Sequence, residues 1–268
     1  MNKNSMGVVL VLAAVLFACS TVPITGRKQL SLIPAGQMLS MSYQEYDGFL
    51  KSNKLSTNQE QIQLVKKVGG RIQKSVEMYF AEKGLSGQLK DYRWEFNLVE
   101  SKDVNAWCMP GGKVVVYTGI LPITQNEVGL AVVLGHEISH AVAEHGGERM
   151  SQGLLAQLGG MALSVALQDK PEQTKQLWMG AYGLGAQFGV LLPFSRTHES
   201  EADHLGLIFM SMAGYDPKEA VTFWQRMAAG KGGQAPPEFM STHPADATRI
   251  ADIQKEIPEA MQYYRKAM

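Results

Sequence analysis

The stretch Leu134-Gly135-His136-Glu137-Ile138-Ser139-His140 decides how the rest of the chain is read. Thr124 to Glu127 has the form of a capping box, and Leu130, Val133, Leu134, Ile138 and Val142 then recur at helical spacing, so a helix is expected here. On a helix, residues four apart share a face, so the imidazoles of His136 and His140 can reach one metal ion. Glu137 sits beside them, placed to take a proton from a water on that metal. Two readings compete with a catalytic zinc. One is a pair of ordinary surface or core histidines, and the other is a purely structural zinc, which leaves Glu137 without a task.

A catalytic zinc usually has three protein ligands and an open position. The richest source of the third is Arg196-Thr197-His198-Glu199-Ser200-Glu201-Ala202-Asp203. Glu199 and Asp203 are four apart and share a helix face, while Glu201 points elsewhere. With Glu199 on the metal, Asp203 can orient a ligand imidazole from behind. The alternative ligand, Glu201, has Leu205 four residues on and no carboxylate there. His198 and His204 read as surface or structural residues.

With these residues in place, the chain resembles the HtpX, BepA and CAAX prenyl protease family of zinc metallopeptidases. In that family H-E-x-x-H is followed tens of residues later by E-x-x-A-D, which Glu199-Ser200-Glu201-Ala202-Asp203 fits at every fixed position. The resemblance runs from about Gln37 to the C-terminus. It implies an α+β fold of gluzincin type, mostly helical, with a small β-sheet and an active-site helix carrying H-E-x-x-H. It also implies one Zn2+ held by His136, His140 and Glu199, with Asp203 behind them. The implied activity is zinc-dependent endopeptidase action on protein or peptide substrates, with Glu137 assisting the attack of water on the peptide bond. Among relatives the chain looks closest to the BepA-like and LoiP-like lipoprotein branch facing the periplasm.

Two further segments extend the resemblance. Asn105-Ala106-Trp107-Cys108-Met109-Pro110-Gly111-Gly112 matches the family's N-A-x-x-x-P-G-G segment, after which a strand, here Val114, Val115, Val116 and Tyr117, lies at the cleft edge and can pair with extended substrate. An ordinary core strand is equally compatible with those residues. His243-Pro244, with Arg249 six residues after the histidine, resembles the tail of the BepA-like site, where the histidine approaches zinc as a removable fourth ligand. Steadying an oxyanion, or plain capping, are the other readings for His243 and Arg249. A contrasting function is that of an envelope-assembly or chaperone factor whose zinc site is autoinhibited. The prenyl-protein substrate of some relatives is not carried over, because those are multi-span membrane proteins.

The remaining residues set the frame. The chain has 268 residues, 45% hydrophobic and 19% charged, with zero formal charge, enough to bury a sizeable core and without the basic clustering that nucleic acid requires. Lys3 followed by the apolar run Met6 to Ala18 reads as an export leader, and Leu16-Phe17-Ala18-Cys19-Ser20 resembles a bacterial lipoprotein signal with lipid on Cys19; an ordinary signal peptide or a buried helix are the alternatives. The expected organisation is therefore a leader over 1–18, a lipidated tether over 19–36 and a catalytic domain over 37–268, in the bacterial envelope and facing the periplasm from the outer membrane. Cys108 is the other cysteine and reads as a buried, inert thiol. Helices are expected after Thr57-Asn58-Gln59-Glu60, over Thr197 to Met212 and after Asp216-Pro217, and a strand over Tyr92 to Leu98. The apolar stretches 153–167 and 177–194 are short for spanning a bilayer, so buried or interfacial helices are expected there.

Overall fold

The computed structural model describes residues 19–187, 191–229, 238–244 and 246–264, and the expected leader, 1–18, lies outside them. The chain groups into two compact units, one of residues 1–38 with 144–197 and one of 39–143 with 198–268.

In the first unit, β1 (Cys19–Thr21) pairs antiparallel with β2 (Lys28–Leu30). The turn between them closes where the Val22 amide donates to the Arg27 carbonyl at 2.7 Å and the Gly26 amide to the Val22 carbonyl at 2.8 Å. This hairpin occupies the stretch expected as an unpacked tether. Its polar residues find partners on α4 (His145–Ala166): Arg27 Nη2 lies 2.8 Å from Glu148 Oε2, and the Leu32 amide donates to Ser151 Oγ at 3.0 Å. Helix α5 (Glu172–Ala186) follows α4 and is tied to it where Tyr182 Oη donates to the Ala156 carbonyl at 2.7 Å. Among the described residues, no helix is long and apolar enough to cross a membrane.

The second unit holds a three-stranded sheet in the order β3-β5-β4, with β3 Glu95–Val99, β4 Ala106–Met109 and β5 Lys113–Tyr117. β5 pairs parallel with β3 and antiparallel with β4. Val114, Val115, Val116 and Tyr117 therefore form the central strand and have no free edge. This corrects the expectation that they border the cleft, and β4 is the edge strand on that side. The turn between β4 and β5 needs its two glycines, since Gly111 and Gly112 sit at φ of 85° and 80°, where L side chains are strained. Alternation along the strands splits the layers. Val115 on β5, with Trp107 and Met109 on β4, packs against Tyr46, Phe49 and Leu50 of α1 (Ala35–Ser52).

On the opposite face run α2 (Gln59–Glu82) and α3 (Glu127–Val142). Each starts later than the capping boxes suggest: Asn58 Oδ1 accepts from the Gln61 amide at 3.1 Å, and Asn126 Oδ1 accepts from the Gly129 amide at 2.9 Å. Thr124 cannot cap α3, because it closes a helical turn over Leu121–Thr124 and its hydroxyl donates to the Leu121 carbonyl. From Gly129 to Val142 every residue of α3 is buried, so it is a core helix. Three more helices complete the unit: α6 (Leu192–Met212) from His198 onward, α7 (Glu219–Ala229) and α8 (Ala247–Ala260), the last capped by Asp246.

Helices α3 and α6 meet backbone to backbone. A Cβ on Gly135 would lie 2.9 Å from the Gly206 carbonyl oxygen, and one on Gly206 would lie 3.0 Å from the His136 nitrogen. This crossing brings His136 opposite the acidic turn of α6. Gly135→Val should therefore lower unfolding free energy by about 1–3 kcal/mol through overpacking and reduce bound metal. Wild-type values for both, by denaturant titration and elemental analysis, would show that the crossing does not depend on this contact.

Candidate active site

Helix α3 turns His136 and His140 toward one point, and Glu199, one turn from Asp203 on α6, meets them there. His136 Nε2 and His140 Nε2 are 3.1 Å apart, and each lies 3.3 Å from a Glu199 carboxylate oxygen. His243, just after a helical turn over Glu238–Thr242, closes the group: its Nδ1 is 3.1 Å from His136 Nε2 and 2.9 Å from Glu199 Oε2. All four residues are buried, and their donor atoms lie within 4.8 Å of one another.

Two imidazole nitrogens facing each other at 3.1 Å can share at most one proton, so lone pairs converge with few hydrogens between them. A cation satisfies that arrangement. Tetrahedral zinc with bonds of about 2.0–2.1 Å sets its donor atoms about 3.3–3.4 Å apart. The observed spacings fit, and a set of imidazoles with one carboxylate is borderline-soft chemistry suited to Zn2+.

Behind the cluster, Asp203 Oδ1 lies 2.9 Å from His136 Nδ1, which turns the other ring nitrogen toward the shared point. Asp203 is itself gripped by Arg249, whose Nε donates to Oδ2 at 2.7 Å and Nη2 to Oδ1 at 2.9 Å, while Nη1 reaches Glu199 Oε2 at 3.1 Å. The Arg249 guanidinium lies 3.8 Å from the centre of the Trp224 ring, and Trp224 meets the His136 ring edge-on at 5.6 Å. Nothing in the spacing of Trp224 along the sequence signals this role; only the packing of α7 on α3 reveals it.

The charges follow from this arrangement. Burial opposes protonation of His136, but the neighbouring Asp203 and Glu199 carboxylates outweigh it and hold the pKa at about 9. Burial also works against ionised Glu199, and the imidazoles of His136, His140 and His243 overcome it, keeping the carboxyl far below the usual range. Asp203 behaves likewise, with Arg249 and then His136 offsetting its burial. Glu137 is buried, and its Oε1 lies 3.4 Å from His243 Nε2. The Cys108 thiol on β4 is pushed well up by burial and then by the Glu137 charge, so it stays a neutral thiol and no nucleophile.

The other sequence candidates lie elsewhere. Glu201 is buried on α6 but outside the four-residue group, as is His198. His204 faces Glu256 at 3.7 Å and Glu259 at 3.9 Å on the α8 side. Cys19, expected to carry lipid, is exposed at the start of β1.

Residues 67–257 match the model of Peptidase family M48, covering both histidines, the glutamates and His243. The chain is 41% identical over 64% of its length to Mitochondrial metalloendopeptidase OMA1 of Schizosaccharomyces pombe, spanning 49% of that protein. To the protein of the same name from Saccharomyces cerevisiae it is 34% identical over 75% of its length, spanning 58%. Beta-barrel assembly-enhancing protease of Yersinia pestis matches at 34% over 59% of this chain and 33% of its own length. The chain thus spans about half the length of the first two relatives.

Two expectations are corrected by these matches. The OMA1 proteins match over more of the chain than the beta-barrel assembly-enhancing protease does, so kinship with the BepA-like and LoiP-like branch is not the nearer one. A bacterial outer-membrane location is overturned by the mitochondrial proteins that lead the matches, and the lipid anchor on Cys19 loses the compartment it was tied to. What stands is common to all of them: with the metal-binding geometry on α3 and α6 and a family match over most of its length, this chain belongs to peptidase family M48.

Proposed function

We propose that the chain is a zinc metalloendopeptidase domain that hydrolyses peptide bonds in extended, unfolded stretches of protein, with His136, His140 and Glu199 as metal ligands and Glu137 as general base. The observation that carries this reading is the convergence of those three side chains at zinc-ligand spacing, with Glu137 on the same helix. Zinc held there supplies Lewis-acid polarisation of a carbonyl and a lowered pKa for water. Glu137 takes the proton of the attacking water and passes it to the leaving amine, as its buried position next to the cluster allows. Asp203 and Arg249 hold His136 in the orientation that turns Nε2 inward.

Substrate docking belongs to β4 in this reading. The ladder between β4 and β5 includes the Tyr117 amide donating to the Asn105 carbonyl, so by antiparallel alternation the backbone groups of Ala106 and Cys108 face away from β5. The Ala106 amide is covered by Asn105 Oδ1, which leaves Cys108 as the natural point of strand addition. β4 packs on α3 and the Cys108 thiol feels the Glu137 charge, so a peptide paired there runs along the helix that bears the base.

A second reading rests on His243. Its Nδ1 sits among the other donors, a placement that supports a closed, autoinhibited site. An assembly or chaperone role with rare proteolysis is compatible with such a state.

Purified protein should hold about one zinc per chain and cleave casein. Glu137→Gln should keep the metal while losing about 10²–10⁴-fold in turnover, and Glu199→Ala should lose the metal; full turnover in Glu137→Gln would remove Glu137 from the mechanism. Asp203→Asn should weaken zinc binding by about 10–100-fold, read by competition with a chelator, without unfolding the protein. Unchanged affinity would mean that Asp203 does not orient His136. For a closed site, His243→Ala should raise casein cleavage at unchanged zinc content. A fall in turnover would instead assign His243 to catalysis.

A further inference from the structure

The hairpin of α4 and α5 in the first unit has its large apolar side chains on the outside. Met150, Leu154, Leu158, Met161 and Val165 follow one another by three or four residues and form a stripe along α4, with Val165 at 65% exposure. On α5, Leu177 is 72% exposed, Trp178 56% and Leu184 59%. At the seam, two glycines of α4 lie under the one aromatic ring of α5 that crosses them. Tyr182 packs over Gly159 and Gly160, and its hydroxyl is bonded to the Ala156 carbonyl. In water, two helices meet through their bulky residues; a small-residue seam with bulky residues facing out is the pattern of helices in lipid.

The charge distribution points the same way. From Met150 to Gln168 and from Gln176 to Ser195 the sequence has no charged residue, and the only charges between, Asp169, Lys170, Glu172 and Lys175, balance to zero at the turn. Among the described residues, no helix is long and apolar enough to span a bilayer. The remaining fit is an interfacial position, with the exposed apolar stripe among acyl chains. A protein partner recognised at a comparable surface would be expected to carry a polar rim for specificity, and the hairpin has charges only at its ends.

We propose that the α4–α5 hairpin lies in the interface of a phospholipid bilayer, with Leu158, Val165, Leu177 and Trp178 buried among the acyl chains. The proposal does not rest on the zinc chemistry. It concerns a different unit and binds lipid by apolar contact, so association should be insensitive to salt.

The test uses the full chain with phosphatidylcholine vesicles whose acyl chains are brominated, which quench tryptophan within the membrane. Trp178 is the tryptophan on the hairpin; Trp94, Trp107 and Trp224 belong to the other unit. Vesicles should quench the wild-type emission, and Trp178→Phe should remove most of that quenching. Leu158→Glu combined with Leu177→Glu should lower the partition coefficient by about tenfold or more, with zinc content and circular dichroism unchanged, since both side chains are exposed. Equal quenching in wild type and Trp178→Phe overturns the proposal, because contact then runs through another part, the apolar run 6–18 included. So does a chain that ignores vesicles but forms a dimer broken by the glutamate substitutions, which would assign the face to a second copy.

Discussion

Lone pairs cannot be buried face to face without something positive between them, and that constraint governs the second unit. His136, His140, His243 and Glu199 bring their donor atoms within 4.8 Å inside the core. Leaving such groups uncompensated costs several kcal/mol per charged group. The Asp203 and Glu199 carboxylates favour a protonated His136 against its burial and raise its pKa to about 9. With metal, that proton must leave, so binding and proton release are coupled. Arg249 supplies a permanent positive charge on the far side, bidentate on Asp203 and stacked on Trp224.

The fold serves this cluster by bringing two helices unusually close. Gly135 and Gly206 remove the side chains that would hold α3 and α6 apart, and the close crossing puts His136 within reach of both Glu199 and Asp203. The same helix α3 is buried all round, against the sheet, α2 and α7. A helix so enclosed has little freedom to rotate, so the direction of His136, Glu137 and His140 is fixed by core packing before any metal arrives. Such preorganisation suits chemistry that tolerates little positional error.

Much of the site was legible because its geometry is local. Spacings of four residues on α3 and α6 place the pairs His136 and His140, Glu199 and Asp203 on shared faces whatever the rest of the chain does. The meeting of the two helices is not local, and in the sequence it came only through the resemblance to a family. Strand order is non-local in the same way: Val114 to Tyr117 look like any β-branched strand, compatible with an edge or a core position, and only pairing on both sides makes them central. The stretch 19–36 reads as a tether from composition, since its stabilising partners, Glu148 and Ser151, lie more than a hundred residues away in sequence. The apolar stretches announced helices, but hydrophobicity alone cannot say which face of a helix finds a neighbour.

Moving the free edge from β5 to β4 changes how substrate and base are related. β4 alternates Trp107 and Met109 toward α1 with Ala106 and Cys108 toward α3, so one strand ties the aromatic layer to the helix that bears Glu137. The charge of Glu137 is felt at the Cys108 thiol, and β4 packs on α3 and is an edge of the sheet among the described residues, so the proposed base lies on the helix against that edge. A peptide added to β4 gains main-chain hydrogen bonds that are indifferent to its side chains. Selection then falls on whether a segment can become extended, a property of unfolded chains. Under the proposed function, a His243 that closes the site and an edge that accepts any extended backbone would be complementary: broad recognition at β4 would make a restraint at the metal useful.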